Sequence, residues 1–494
     1  MEMTTGTRDR RWLGLFAVLT AMIMNILDST IVNVAAPSIR ADLGGSYAAL
    51  QWMVAAYTLA LGVGLLTGGR LGDMYGRRRV FLIGSAGFVA ASLSCAFAAT
   101  PSMLIGSRVL QGLFGAVMVP QAFGLIRDLF PPKDIGKAFG ALGPVIGLST
   151  IAGPVVAGLL INADLLGTGW RMVFAINLPL GAFTLLAGLR ALPVKPAVSR
   201  TKRLDVLGML TAGTGMFLLV YPLVQGREQG WPARLFVMLA ASVAVLAGFV
   251  VYQLRRTRSG RTPLVDFGVL ARRSYASGVA FVIVFFGSIV GFSLSVGLFL
   301  QLGLHYSPMR ASLSMSAWAI GAFFGSGFGA TMMGKLGRRI LHLGLGIMAV
   351  GLAGVVIVFT VVGSATGAWS LAVPLLVYGF GMGMIFVPLF DIIMGEVRDH
   401  EVGSASSLLE SLQQLGSSLG VAVLGTVFFS AIGARPLVGD FVGAARVIAL
   451  IALGLVAVAF AIGFLLPRRA RHAALESTGA PVGAQDPERE LVSV

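Results

Sequence analysis

Residues 69–79 read Gly69-Arg70-Leu71-Gly72-Asp73-Met74-Tyr75-Gly76-Arg77-Arg78-Arg79. Four arginines, one carboxylate and three glycines stand between two apolar runs, at about residues 50–69 and 80–99. Each run is long enough for one helix across a bilayer, whose hydrocarbon core takes about 20 apolar residues. The stretch therefore reads as a short polar turn at one membrane face. Arginine in excess at such a turn marks the cytoplasmic side. That accounts for the arginines but not for Asp73 among them, which needs a separate reason.

The same alternation of apolar run and short polar turn continues along all 494 residues. Hydrophobic residues make up 56% of the chain and charged residues 12%, against about 25% charged in a soluble domain. Mean hydropathy is +0.87. This excludes a soluble enzyme, a disordered protein and a secreted disulfide scaffold. The pattern predicts an all-α integral membrane protein with fourteen transmembrane helices. The thirteenth must reach back into a polar stretch, because the apolar run from Leu419 to Ile432 is too short to cross. The run from Trp12 to about Ala36 exceeds a signal-peptide core and is read as a retained first span.

When the connections are assigned alternately with the N-terminus inside, 29 of the 37 Lys and Arg fall on cytoplasmic segments and 7 on external ones. One, Arg108, is left inside a span. The formal charge of +16 thus reports topology, with contact to anionic lipid headgroups as a secondary meaning. Both termini are expected in the cytoplasm. Nucleic acid is not an expected partner, since no basic domain lies outside the membrane. Cys95 is the only cysteine, and the four histidines are scattered. Neither a zinc motif, a phosphate-binding loop nor a nucleophile elbow occurs, so no metal, cofactor or enzymatic role is expected. Arginine outnumbers lysine 32 to 5, a composition that fits a GC-rich bacterial source and hence a bacterial cytoplasmic membrane.

An internal repeat organises the spans. Gly69-Arg70-Leu71-Gly72 recurs as Gly334-Lys335-Leu336-Gly337, 265 residues later. Lys133-Asp134-Ile135-Gly136 is echoed by Arg398-Asp399-His400-Glu401-Val402-Gly403 in the equivalent turn. This predicts a six-helix half at residues 12–190 and another at 275–466, with two inserted helices at 205–254. Segments 1–11 and 467–494 are the expected cytoplasmic tails. Duplicated helical halves around a midplane site describe a secondary transporter working by alternating access.

At this point the residues carry a resemblance. The 69–79 stretch resembles the loop signature of the major facilitator superfamily. Leu27-Asp28-Ser29-Thr30-Ile31-Val32-Asn33-Val34-Ala35 looks like the first-span motif of the fourteen-span drug:proton antiporters in that superfamily. Arg108-Val109-Leu110-Gln111-Gly112 resembles the arginine motif, and Gly147, Gly153, Pro154 and Gly158 the antiporter motif, although Ala157 replaces the first of its usual paired glycines. Trp170-Arg171-Met172-Val173-Phe174 with Asn177, Pro179 and Gly181 is similar to the start of span 6. The resemblance implies proton-coupled export of amphipathic, aromatic or cationic small molecules, such as drugs, antibiotics and dyes. Export of an endogenous metabolite, siderophore or lipid stays open, as does a non-transporting receptor or scaffold.

Each candidate residue has a physical reason. Asp28 and Arg108 are ionisable groups inside spans, where a charge must be paired, neutralised or facing water. They are read as proton-coupling residues, with Gln111 one turn from Arg108. Asn25 and Asn33 are expected to share a polar face with Asp28 and, with Gln111, to line the substrate pathway. The resemblance makes Asp73, Arg70, Gly76, Arg77 and Arg78 a gate. Ser406, Ser407, Glu410, Gln413, Gln414 and Ser417 follow helical spacing as one polar stripe. Glu410 is a candidate second protonation or cation site, with Gln413 and Gln414 on the pathway; a solvated charge is the alternative. The expected partners are a small-molecule substrate, protons and lipids, and the expected unit is a monomer.

Overall fold

The computed structural model describes residues 5–131, 134, 138, 142–164, 167–195, 204–261, 263–265, 267–270, 272–397, 402–432 and 437–467. Most of the second pair of matched turns and nearly all of the C-terminal tail lie outside the described residues. The long helices are α1 (Thr5–Leu43), α2 (Tyr47–Tyr75), α3 (Arg77–Ala96), α4 (Pro101–Leu129), α5 (Leu142–Ala163), α6 (Asn177–Ala191) and α7 (Val206–Gln229). They continue as α8 (Ala233–Arg258), α9 (Arg273–Leu298), α10 (Pro308–Leu336), α11 (Arg339–Val361), α12 (Ala368–Ile393), α13 (Val402–Ala431) and α14 (Val438–Gly463). Among the described residues no strand occurs, because every backbone polar group in lipid must be satisfied within its own helix.

Twelve segments among the described residues are long and apolar enough to cross a membrane. The two remaining long helices are α5, of which only Gly153–Ala163 counts as an apolar stretch, and α10. In α10 the buried Ser312, Ser314, Gly321, Gly325 and Gly329 hold hydropathy down, yet the three glycines let α12 approach closely. As expected, α13 extends back through the polar stretch to Val402.

Local sequence sets the helix ends. Ser46, Thr100 and Ser307 accept from the N–H of Ala49, Met103 and Arg310 at 3.2, 3.2 and 3.3 Å, the N-cap bond. Helix α2 stops at Gly76 (φ 90°) and α10 at Gly337 (φ 50°). Each donates its N–H to a carbonyl four residues back, at 2.9 Å. Only glycine takes this conformation cheaply, so these two caps define the structural register. They lie 261 residues apart, not the 265 of the sequence match. The repeat is therefore corrected by about one helical turn here: Asp73 corresponds to Gly334, and Arg77 to Arg338.

Packing repeats as the elements do. The pairs α2–α4, α3–α4, α1–α5 and α1–α6 recur as α10–α12, α11–α12, α9–α13 and α9–α14. The two sets meet through α2–α13 and α5–α10, a symmetric exchange. Helix α7 lies against both α2 and α13, while α8 packs chiefly on α7. We call the end carrying the 69–79 turn the basic end.

Candidate functional site

Five helices of the first set converge on one buried polar cluster. Arg108 on α4 is 0% exposed and Asp28 on α1 is 1% exposed. Their side chains form a direct ion pair, Arg108 Nη1 to Asp28 Oδ2. The same Nη1 donates to Gln111 Oε1 at 2.7 Å, and Arg108 Nε donates to the Met53 carbonyl of α2 at 3.0 Å. Gln111, one turn along α4 and so on the same face, donates from Nε2 to Asp28 Oδ1 at 2.7 Å and to Ser92 Oγ at 2.8 Å. Asn177 at the start of α6 donates from Nδ2 to Asp28 Oδ1 at 3.1 Å and to Ser92 Oγ of α3 at 3.2 Å. The guanidinium lies 4.1 Å from the Tyr57 ring centre, where the ring's negative face favours a cation.

A buried carboxylate and guanidinium survive only when each is paired and its remaining donors and acceptors are used. Asp28 meets this with three donors. Arg108 Nη2 and Asn177 Oδ1 are buried without a partner, so the cluster has spare valence for a rearranged set of bonds. Asp28, Arg108 and Gln111 are brought together, and Arg108 uses both the carboxylate and a backbone carbonyl. Sequence reasoning assigned no role to Ser92, Tyr57 or Asn177. Asn177 did stand in a matched stretch, an amide in an otherwise apolar run; Ser92 and Tyr57 carry no signal without the fold.

The expected polar face of α1 is corrected. Asn25 Nδ2 donates to Tyr57 Oη at 2.7 Å, which turns it into the first set. Asn33 instead lies on the side toward α9, its backbone near Gly297, with Oδ1 buried and unpartnered. The reason is helical spacing: at about 100° per residue, positions 25, 28 and 33 spread over more than a third of a turn. In this structure Asn25 and Gln111, expected on the substrate pathway, are buried inside the first set.

The basic end carries a chain of charges. Arg77 stands 3.6 Å from Asp73 and 3.5 Å from Asp128 at the end of α4. Lys195 donates to Asp128 at 2.7 Å. Arg78 Nη2 donates to the Leu189 carbonyl near the end of α6, at 2.5 Å. In the second set Arg338 donates to the carbonyls of Phe464 and Leu466 beyond α14, at 2.7 and 2.8 Å. Arginines of corresponding turns thus close corresponding helix ends, as the helix dipole favours. Asp128 was not anticipated. Arg70 is half-buried, and its Nη1 is buried without a partner.

The antiporter stretch lies at close approaches. Gly153 faces Thr30 of α1. A Cβ at Gly158 would sit 2.8 Å from Ser312 Oγ and 2.9 Å from Met309 Cα, so only glycine admits α10 there. Pro154 lies inside α5; the surroundings of Gly147 fall outside the described residues.

The expected stripe on α13 divides. Gln414 and Ser407 face Gly62 and Gly69 of α2, and Ser418 Oγ shares a 2.6 Å hydrogen bond with Thr58 Oγ1. Gly416 and Gly420 face Ile283 and Gly287 of α9. Thr426 turns to α7, donating to the Leu223 carbonyl at 2.8 Å. Counting about 100° per residue, Glu410, Ser406, Gln413 and Ser417 fall between the α2 and α9 faces, opposite the α7 side. Glu410 is half-buried, and its carboxylate makes no hydrogen bond or ion pair with a described residue.

Residues 18–421 match the family model described as Major Facilitator Superfamily. The chain is 48% identical over 441 residues to a probable actinorhodin transporter of Streptomyces coelicolor, covering 88% of this chain and 76% of that protein. It is 35% identical to a tetracenomycin C resistance and export protein of Streptomyces glaucescens, covering 87% and 78%. A puromycin resistance protein of Streptomyces alboniger is 35% identical, covering 93% and 90%. Among solved structures, an inward-facing bacterial homolog of the lysosomal transporter Spinster superposes with TM-score 0.64 at 17% identity, over 94% of this chain and 98% of that one. Helix composition, fold and sequence agree: the chain belongs to the major facilitator superfamily of membrane transporters, and is not an enzyme.

Proposed function

We propose that the chain exports amphipathic, aromatic or cationic small molecules, antibiotics among them, across a bacterial cytoplasmic membrane in exchange for protons. The relatives named for antibiotic transport, export and resistance support the cargo class. The observation that carries the coupling is the buried Asp28–Arg108 pair, held by the donors Gln111 on α4 and Asn177 on α6 and by the accepting Met53 carbonyl of α2. In this reading all fourteen helices cross the membrane and both termini are cytoplasmic, so the basic end faces the cytosol. Residues 12–190 and 275–466 are the moving halves, 205–254 the insert, and one chain is the working unit.

The cycle follows from charge. A proton on Asp28 cancels the counter-charge of Arg108 in a site that excludes water. Arg108 is then left to the Met53 carbonyl, Gln111 and the Tyr57 ring, and the cluster rearranges. Because α1, α2, α3, α4 and α6 all contribute bonds, the rearrangement shifts the half as one body. Release of the proton restores the ion pair. Gln111 and Asn177 orient the carboxylate. Asp28 is sealed from cargo, so Glu410, between α2 and α9 with no side-chain partner among the described residues, meets a cationic substrate, with Asn33, Gln413 and Gln414 along the path. Asp73, Gly76, Arg77, Arg78 and Arg70 gate the cytoplasmic side, while Gly147, Gly153, Pro154 and Gly158 let the halves close outside.

Everted vesicles carrying the protein should accumulate a cationic dye when their lumen is acid, protons leaving as dye enters, stop when a protonophore collapses that gradient, and lose coupling in Asp28→Asn. Dye movement that survives the protonophore, or normal coupling in that variant, would refute the reading.

A further inference from the structure

Helix α7 follows α2 along its length in the opposite direction. At the far end Glu228 Oε1 accepts from the Ala48 N–H at 2.8 Å, where α2 begins. Midway, Trp52 meets Phe217 and Tyr221 with ring centres 6.1 and 6.0 Å apart, and a Cβ on Gly213 would touch Val63 at 3.1 Å. At the basic end stands Asp205, 2% exposed. Its carboxylate caps α7 through the Gly208 N–H at 3.0 Å and accepts from Tyr252 Oη at 2.8 Å and Gln253 Nε2 at 2.6 Å. Arg256 of α8 lies 3.6 Å away. Gln253 Oε1 accepts in turn from the Leu264 N–H at 2.7 Å. A cap alone needs only the first of these bonds. The rest hold a single anionic charge in a fixed place beside the gate.

Arg70 is the group that this charge faces. The antiparallel register of α7 on α2, with Glu228 at Ala48 and Gly213 at Val63, brings Asp205 level with Arg70, and its negative charge favours the Arg70 cation. Arg256 opposes that attraction. Arg70 Nη1 is buried with no hydrogen-bond partner. A half-buried guanidinium with one buried nitrogen unbonded is costly unless a nearby charge compensates it.

We propose that Asp205 is a positioning residue of the inserted helix pair, which holds Arg70 of the cytoplasmic gate in the arrangement seen here and so couples the insert to gating. This rests on the gating role proposed for Arg70. Burial works against the Asp205 charge, but the donors Gln253, Gly208 and Tyr252 with the Arg256 cation outweigh it and hold its carboxyl below the usual carboxylate range. The charge is therefore permanent across physiological pH, as a fixed anchor requires. The insert thereby belongs mechanically to α2 and moves with it.

Access can be read with one thiol. In a Cys95→Ala background, Ser406→Cys places a reporter at an exposed position on α13 near the basic end. Its reaction with a membrane-impermeant maleimide in everted vesicles measures the population open to that side. Asp205→Asn keeps an oxygen for the Gly208 N–H but removes the charge. It should slow labelling about fivefold, Arg70→Gln should do the same, and the double variant should be no slower than either. Arg256→Gln removes the competing cation and should label at least as fast as the parent. If Arg70→Gln slows labelling but Asp205→Asn does not, or if the two effects multiply, the coupling is wrong and the gate stands. If Arg70→Gln labels like the parent, the gate reading itself falls and takes the coupling with it. Should Asp205→Asn not reach the membrane, slowed labelling in Arg256→Gln overturns the proposal on its own.

Discussion

Replacing Asp28 by Asn changes the volume of the cluster very little and its electrostatics completely. Asp28 Oδ1 accepts from Gln111 and Asn177, and Oδ2 from Arg108. An amide keeps one acceptor oxygen and turns its NH2 toward groups that only donate. Arg108 is then a wholly buried cation with no counter-charge, supported by the Met53 carbonyl at 3.0 Å, Gln111 Oε1 at 2.7 Å and the Tyr57 ring. Breaking a buried pair by removing one partner costs about 3–5 kcal/mol. For a cooperative unit the size of one six-helix half, each kcal/mol is worth roughly 2–4 °C, so melting should fall by on the order of 10 °C. Arg108→Gln should cost about as much. The double variant Asp28→Asn/Arg108→Gln carries no buried charge, and its loss should be well below the sum of the singles. The molecule supplies its own probe: Cys95 is the sole cysteine, fully buried, with Sγ 3.7 Å from Gln111 Oε1. A maleimide dye that fluoresces on thiol reaction therefore reports the opening of this cluster as detergent-solubilised protein is heated. A shift below about 2 °C for Asp28→Asn, or single effects that simply add in the double variant, would refute the argument.

Three further outcomes follow from separate features. Gly158→Val drives a side chain into Met309 and Ser312, so it should wedge α5 from α10 and cut transport at least about tenfold while costing roughly 1–3 kcal/mol of stability; transport at the parent rate would contradict the close approach. Glu410→Gln should weaken cationic dye binding by about 1–2 kcal/mol, roughly tenfold, and leave a neutral substrate unaffected, a contrast read by equilibrium binding to purified protein. Because the Asp205 carboxyl is held low, its contribution is complete above the unfolded value of about 3.9 and is lost only as pH falls through the folded value. The Asp205→Asn labelling defect, with Tyr252, Gln253 and Arg256 around the carboxylate and Arg70 facing it, should thus be equal at about pH 5.5 and about pH 8; a defect that faded toward pH 5.5 would be inconsistent with the low value.

Legibility in the sequence follows the range of the physics involved. The apolar bulk is a property of composition, and short-range chemistry places caps such as Ser46, Thr100 and Gly76. Arg108 stood out because one cation was left over after the loops were counted, and Asp28 because a carboxylate sat in an apolar run. The repeat was visible but slipped by a turn, since a four-residue likeness such as Gly69–Gly72 with Gly334–Gly337 weighs letters equally. The helix end is decided by the glycine that takes positive φ. The stripe on α13 looked single because spacing alone does not say that α2, α9 and α7 each occupy a different side of that helix.

The sequence by itself therefore determined the solvent, the all-helical fold and the short list of charges that lipid would not tolerate without a reason, because those depend on composition and on contacts within a few residues. The tertiary structure decided which of the charges meet. Asn177 reaches Asp28 across 149 positions and Asn25 turns to Tyr57 across 32; Asp205 faces Arg70 only because α7 lies against α2. Such partnerships arise where helices distant in the chain pack on one another, and nothing local in the chain encodes the angle at which they do.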